Sequence, residues 1–320
     1  MSNILALNIG SSSIKARYED GSKVLTAHKT NVDGEDIQEA IAAILEELSV
    51  DEDTVVVHRV VHGGKRDSPL KVDSALLEAL QQWKAVDEIH MTPELLAIQF
   101  LQDRFEQYVV FDTTFHQSIP EDNVRYGLPN KYYDSGVQKY GFHGLSVANV
   151  VKEREGEGIV LHLGSGCSLT AVQDGISRNT TMGFTPLDGP VMRTRPGRLD
   201  PGVVAWLTTH EKPLPTFLNS ECGWESMADT TPFKETLKSS KYNDVMATRV
   251  FIQSVVSEFH MLLGSVPRLQ YITFTGGVGE HNAQVRHRIC TGIKPYNVLV
   301  NPEANQQHAP IISSEKSEVD

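Results

Sequence analysis

The chain has 320 residues, with 40% hydrophobic and 22% charged content, which is room for two soluble domains of ordinary size. A net charge of −12 argues against a nucleic acid or an anionic membrane as partner and suits a small-molecule enzyme, with any anion held by local basic residues. The cysteines at 167, 222 and 290 form no CxxC pair, no signal-peptide pattern opens the chain, and no run approaches ~18 apolar residues, so the expectation is a cytoplasmic protein without a membrane span.

Residues 5–17 read LALNIGSSSIKAR. An apolar run ends in Asn8, turns through Gly10 and three serines, and leaves on Lys15 into a second strand. Glu19-Asp20-Gly21-Ser22 is a turn signal, and Val24 to His28 reads as a third strand. The serine turn therefore joins two strands, unlike the strand–loop–helix of a P-loop. Gly10 still permits close backbone approach, and Ser11 to Ser13 with Lys15 can face an anion; the alternative is a plain polar hairpin.

Apolar spacing predicts a helix over 35–48. Thr54 to Val61 is a strand continuous enough to be buried on both faces, and it ends at His62-Gly63-Gly64. Arg59 inside it reads either as an ion-paired structural arginine or as an anion ligand near the strand's end. Helices are predicted over 74–84 and 93–105, the second with Thr92 as N-cap and Pro93 in the first turn. The strand 108–111 runs into Asp112-Thr113-Thr114-Phe115-His116-Gln117, a polar cluster at a strand's C-terminal end, where open α/β sheets place ligands; an Asx turn at Asp112 is the competing reading.

Gly141-Phe142-His143-Gly144 precedes a helix over 146–153 and gives His143 room to meet a ligand. The strand 158–163 ends in His162-Leu163-Gly164-Ser165-Gly166, and 167–173 returns to an Asp174-Gly175 hairpin turn. The opening pattern of strand, Gly/Ser turn, strand and DG turn thus recurs. It suggests two α/β domains, 1–150 and 151–320, gripping one polyphosphate. Residues 180–202 are too rich in proline and glycine for a regular element, yet carry Arg193, Arg195 and Arg198, which suits bidentate contact with carboxylate or phosphate. A short helix follows from Asp200 to Leu207, then an irregular stretch over 213–233. A long helix over 242–263 has Val245, Val250 and Val255 among its core candidates. A buried strand over 271–274 leads through Thr275-Gly276-Gly277-Val278-Gly279-Glu280 into a helix, a phosphate or nucleotide platform. No CxxC, HExxH, EF-hand or GxSxG spacing is present, although Mg2+ held mostly by phosphates and water would leave little trace.

The motifs NIGSSSIK, HRVVHGG, FDTTFHQ, YGFHG, HLGSG, MGFTPLDG with TR and DPG, and FTGGVGE, in this order, resemble the acetate kinase (acetokinase) family of actin/hexokinase-like phosphotransferases. The resemblance implies two actin-like (ribonuclease H-like) α/β domains around a central cleft. It further implies transfer of a phosphoryl group from ATP to acetate, giving acetyl phosphate and ADP, with Mg2+ and as a homodimer. Carried over by motif, the magnesium asparagine is Asn8, the phosphate lysine Lys15 and the carboxylate arginine Arg59. The catalytic residues are Asp112, His143 and Arg195. The acetate pocket would be Val61, Ile89, Phe142 and Pro186. Nucleotide contacts fall on His162, Leu163, Gly164, Ser165 and Gly166, and on Gly277, Val278, Gly279, Glu280 and His281. Arg59, Arg195 and His143 are expected to converge so that two mutually repelling anions can meet, with Asp112 orienting an arginine or the metal's water, or acting as base; the low pKa of acetate favours the orienting role.

The departures from the family also carry expectations. Leu145-Ser146-Val147 replaces a threonine-serine-histidine, and Arg193 and Arg198 add positive charge near the predicted cleft. Residues 228–233 replace the serine-rich adenine-side segment, which leaves the adenine contacts unassigned and motivates a pyrophosphate-type donor as an alternative. The family's final strand, Pro-Thr-Asn-Glu-Glu turn and helix lie beyond the residues that match. That reading expects weaker Mg2+ binding, in a truncated form or a reduced, catalytically impaired nucleotide-binding relative.

Overall fold

The computed structural model describes residues 3–320 apart from 11, 12, 22, 31, 33–35, 153 and 295. Ser11, Ser12 and Ser22, and the predicted helix ends at Glu35 and Glu153, lie outside the described residues. The chain divides into two compact units, Met1–Gln117 and Ser118–Asp320.

The first unit is a six-stranded sheet in the order β3-β2-β1-β4-β6-β5. Its strands are β1 (Ile4–Ile9), β2 (Ser13–Glu19), β3 (Val24–Thr30), β4 (Val55–Val60), β5 (Leu70–Lys71) and β6 (Glu106–Phe111). β1, β2 and β3 form an antiparallel meander, and β4 and β6 run parallel to β1. Strict alternation drives the layering: Leu5, Leu7, Ile9, Ile14, Ala16 and Tyr18 bury on one face against helix α1 (Ile37–Glu47), through Ile37, Ile41 and Ile44. α2 (Ser74–Lys84) and α3 (Glu88–Leu101) are the other α-helices of this unit's described residues, and a 3-10 turn over Thr114–Ser118 follows β6. α3 begins earlier than expected, with Asp87 and not Thr92 at the N-cap, so Pro93 lies inside the helix. β4 is fully buried only at alternate positions, so the expectation of burial on both faces fails. His58 and Arg59 consequently part company. His58 enters the core, where its Nε2 bonds Gln107 Oε1 at 2.6 Å and burial lowers its pKa to about 4. Arg59 faces the other side of the sheet.

The second unit holds a four-stranded sheet in the order β10-β7-β8-β9. These are β7 (Glu157–Leu163), β8 (Cys167–Gln173), β9 (Ile176–Thr180) and β10 (Tyr271–Thr275). β7, β8 and β9 form a meander and β10 runs parallel to β7, the same order and sense as β3-β2-β1-β4. The architectural repeat read from the sequence is therefore present. Asp174 and Gly175 take φ of 51° and 75°, the two positive values that a tight hairpin turn of the I′ kind requires. The helix Tyr242–Leu262 packs Phe251, Val255, Phe259 and Leu262 into the core. Val245, expected in that core, is 38% exposed; the neighbouring Asp244 is buried instead, accepting from the amides of Asp229 and Thr230. The 213–233 stretch, expected to be irregular, forms the short helices Leu214–Ser220 and Gly223–Met227.

The division falls between Gln117 and Ser118 and not near residue 150. Polar tethers explain this. Ser118 Oγ donates to Ser177 O, Asn123 to Arg178 O, Lys139 Nζ to Thr180 O, and the Tyr140 amide to Gly183 O. Each ties the 118–150 segment to β9 or the loop after it.

Candidate active site

In the first unit, strand register aligns the polar residues. Lys15 is paired with His28 on one side and Asn8 on the other, and Asn8 lies beside Arg59, itself beside Val110. All sit on the face away from α1 and line a cavity of about 480 Å3. The Gly10 amide donates to Ser13 O at 2.8 Å, linking the end of β1 to the start of β2. Arg59 is ion-paired, the first of the two readings its sequence context offered, and it is the next-to-last residue of β4. Its Nη1 donates to Glu94 Oε1 at 2.9 Å and its Nη2 to Asp112 Oδ2 at 2.5 Å. Glu94 Oε2 also accepts the Val61 amide at 2.9 Å. Burial works against the Arg59 charge, but Asp112 and then Glu94 more than offset it and hold the guanidinium above its ordinary range. Glu94 was not anticipated. Its signal was a carboxylate among the buried positions Met91, Leu95 and Ile98 of a helix.

Ile89 lines a separate cavity of about 290 Å3 with Ile9, Ile14 and Pro93. Val61 is 3% exposed and is not among that cavity's lining residues.

In the second unit, His143 and Arg195 meet at the turn between β7 and β8. A Cβ built on Gly166 would lie 3.1 Å from His143 Nε2 and 3.8 Å from Arg195 Nη1. His143 sits in the left-handed region, φ 59°, as the N-cap of the helix Gly144–Val151. Its Nδ1 pairs with the Ser168 hydroxyl at 2.9 Å, and its ring stacks on His162 with centroids 4.1 Å apart. His162 Nδ1 pairs with Ser146 Oγ at 3.0 Å. Arg195 Nη1 donates to the carbonyl of Pro186 at 3.3 Å, and Phe142 is buried beside His143 in sequence. The loop carrying Arg195 is tied to the turn by the Arg193 amide, which donates to Ser165 O. Burial pushes the Cys167 thiol up to about 12 even with Arg195 close by, which disfavours the reactive thiolate.

The two extra arginines do not add free charge at this turn. Arg193 makes a two-point pair with Glu225, and Arg198 pairs with Asp188 and Glu258. Both brace the loop. The segment Gly277–His281, expected as a loop leading into one helix, is itself helical from Gly276 to His281; Asn282 then caps a second helix, Ala283–Gly292. Nothing lies within 4 Å of a Cβ built on Gly277, and buried Arg286 holds the segment through the carbonyls of Gly279 and Glu280.

Residues 16–320 match the sequence profile of the Acetokinase family. The chain belongs to the acetokinase family. An acetate kinase of Nitrobacter hamburgensis is 32% identical over 370 aligned positions, covering 100% of this chain and 91% of that protein. One from Methylocella silvestris is 34% identical, covering 93% and 79% respectively. The crystal structure of a propionate kinase from Francisella tularensis superposes with a TM-score of 0.87 at 27% identity, covering 99% of this chain and 94% of that one. The two α/β units are thus those of an actin-like phosphotransferase with a carboxylate acceptor.

Within this acetokinase frame, Gly166 is a position where side-chain size should bear directly on His143 and Arg195. A methyl group 3.1 Å from His143 Nε2 is tighter than ordinary contact and displaces the imidazole or the turn. Gly166→Ala should therefore lower kcat by about tenfold or more, since small misplacements at a reacting centre are costly. Circular dichroism and a thermal melt should change little; an unaltered kcat would place the reacting group elsewhere.

Proposed function

We propose that this acetokinase-family chain is an acetate kinase, transferring the γ-phosphoryl group of ATP to a carboxylate oxygen of acetate and back. As the new O–P bond forms, the bond to the β-phosphate oxygen breaks and ADP leaves. The observation that carries this reading is the meeting of His143 and Arg195 over Gly166 at the head of the β7–β8 hairpin. In-line transfer to a weakly basic acceptor needs positioning and charge neutralisation more than covalent help. His143 Nε2 and Arg195 would donate to the phosphoryl oxygens as charge spreads. Lys15, the turn His162–Gly166 and Gly277–His281 would receive the nucleotide phosphates. Arg59 would hold the acetate carboxylate, and its 2.5 Å bond to Asp112 supports an orienting role for that aspartate.

Among the described residues no group of three or more His, Cys, Asp or Glu could hold a metal. The donor set fits Mg2+ only if phosphates and water supply most of its ligands, with the Asn8 carboxamide oxygen as protein ligand. Bound there, Mg2+ would neutralise phosphate charge. The small apolar residues Val61, Ile89, Phe142 and Pro186 are proposed to favour acetate over longer acids, by only ~1–3 kcal/mol per methylene. A homodimer in the cytoplasm completes the proposal. The three cysteines are free, as a reducing compartment requires, and no described helix is long and apolar enough to cross a membrane.

Trapping acetyl phosphate as its hydroxamate tests the reading. Product is expected with acetate and ATP. Product only with pyrophosphate would move the donor, and nucleotide binding without turnover would make the chain a binding protein.

A further inference from the structure

Arg59 carries one positive charge and already answers two carboxylates, Glu94 and Asp112. A substrate carboxylate at the same guanidinium would be a third. Two of the guanidinium's five N–H groups are committed to these residues, so donors remain for a further anion, but charge does not. Like charges sharing one dry site do not all ionise. We propose that Glu94 is a positioning residue for Arg59 that keeps a proton whenever a carboxylate occupies that arginine, so that acetate binding is coupled to the protonation of Glu94. The inference rests on Arg59 being the carboxylate-binding residue.

Glu94 is the member of the pair suited to this. Its side chain is 0% exposed, against 5% for Asp112, and it rides on α3, where Asp87 adds a further negative charge. Asp87 is itself paired with His90, 2.8 Å away. The charged groups that face Glu94 are therefore Arg59 from β4, Asp112 after β6 and Asp87 at the start of its own helix. Burial pushes the Glu94 carboxyl up to about 8, against the opposing pull of Arg59 and the Val61 amide. Protonated, Glu94 still offers Oε2 to the Val61 amide and leaves Arg59 with one full counter-charge, Asp112. A substrate carboxylate then restores what Glu94 has given up.

The consequence is a pH dependence confined to one substrate. Acetate stays ionised throughout, so its own titration does not contribute. Acetate KM of the wild-type enzyme should be flat from pH 6 to 7.5, then rise as Glu94 loses its proton, by up to about tenfold per pH unit. ATP KM should stay level over the same range. Glu94→Gln removes the titration and should give an acetate KM independent of pH. Should that variant fail to fold, difference infrared spectra of the wild type on adding acetate at pH 8.5 should show a new protonated-carboxyl band. A wild-type acetate KM flat to pH 9, or no such band, overturns the proposal. The underlying reading is checked separately with Arg59→Gln at pH 7. If acetate KM is unchanged there, Arg59 is not the acetate site at all; if it rises while the wild-type pH profile stays flat, only the role of Glu94 is lost.

Discussion

Arg195→Ala should lower kcat by about 10²–10³-fold, the usual loss when one donor to a developing charge is removed. Affinity for ATP should stay within a few-fold of wild type. The argument is geometric. Arg195 projects from a loop whose path is fixed elsewhere, by Met192 N to Arg195 O, Arg193 N to Ser165 O, Cys222 N to Thr194 O and Trp224 N to Met192 O. The pairs of Arg193 with Glu225 and of Arg198 with Glu258 anchor it on both sides. Truncating Arg195 therefore leaves its scaffold in place and removes a guanidinium from beside His143 and Gly166. Single-turnover kinetics with saturating ATP and acetate would isolate the chemical step. A kcat within tenfold of wild type would mean that Arg195 is not in the reaction.

Arg59→Leu should be the most damaging substitution for stability, at about 3–5 kcal/mol near neutral pH, because it strips the counter-charge from buried Asp112 and a hydrogen-bond donor from buried Glu94. Glu94 is wholly buried and Asp112 nearly so, and each bonds a different guanidinium nitrogen. The pH dependence of the deficit has a definite sign. Without Arg59, Glu94 keeps the upward push of burial and loses an opposing pull, so its folded pKa stands above its unfolded one. The contribution of such a group is fully present below the unfolded value and is lost as pH rises through the folded value. The gap between variant and wild type should therefore hold level from pH 5 to 7.5 and widen above pH 8, where wild-type Glu94 loses its proton beside Arg59 and the variant's keeps it. Urea unfolding of both proteins across that range would show it. A gap that widens on acidification would mean that Glu94 is ionised and otherwise stabilised.

How far the sequence spoke for itself depended on whether the deciding physics was local. Strands β1 and β2 were legible because a period of two in Leu5, Leu7, Ile9 and Ile14 admits one reading, and the Asp174-Gly175 turn because few residue pairs accept two positive φ values. The beginning of α3 was misread. Thr92-Pro93 has the local form of a helix start, yet Asp87 begins the helix a turn earlier. Val245 and Asp244 exchanged places for a similar reason: two backbone amides from residues 229 and 230 reward burial of the carboxylate, and a helical spacing rule does not see them. For the candidate site, motif matching proposed Arg59, Asp112, His143 and Arg195. It passed over Glu94, Ser168 and Arg286, which act by holding those residues and the Gly277–His281 segment. Supporting residues carry no spacing signature, because their partners lie far along the chain.

His143 holds a backbone conformation that few side chains tolerate, φ 59° at the mouth of a helix. Any alanine placed there confounds two losses, the ring and the ease of that conformation. Asparagine is among the residues that enter the left-handed region most readily, and its carboxamide can still meet the Ser168 hydroxyl. The asparagine variant is thus the cleaner probe of what the imidazole alone supplies. Natural replacements at this position, if any function, should be drawn from the same narrow set of residues comfortable with a reversed twist.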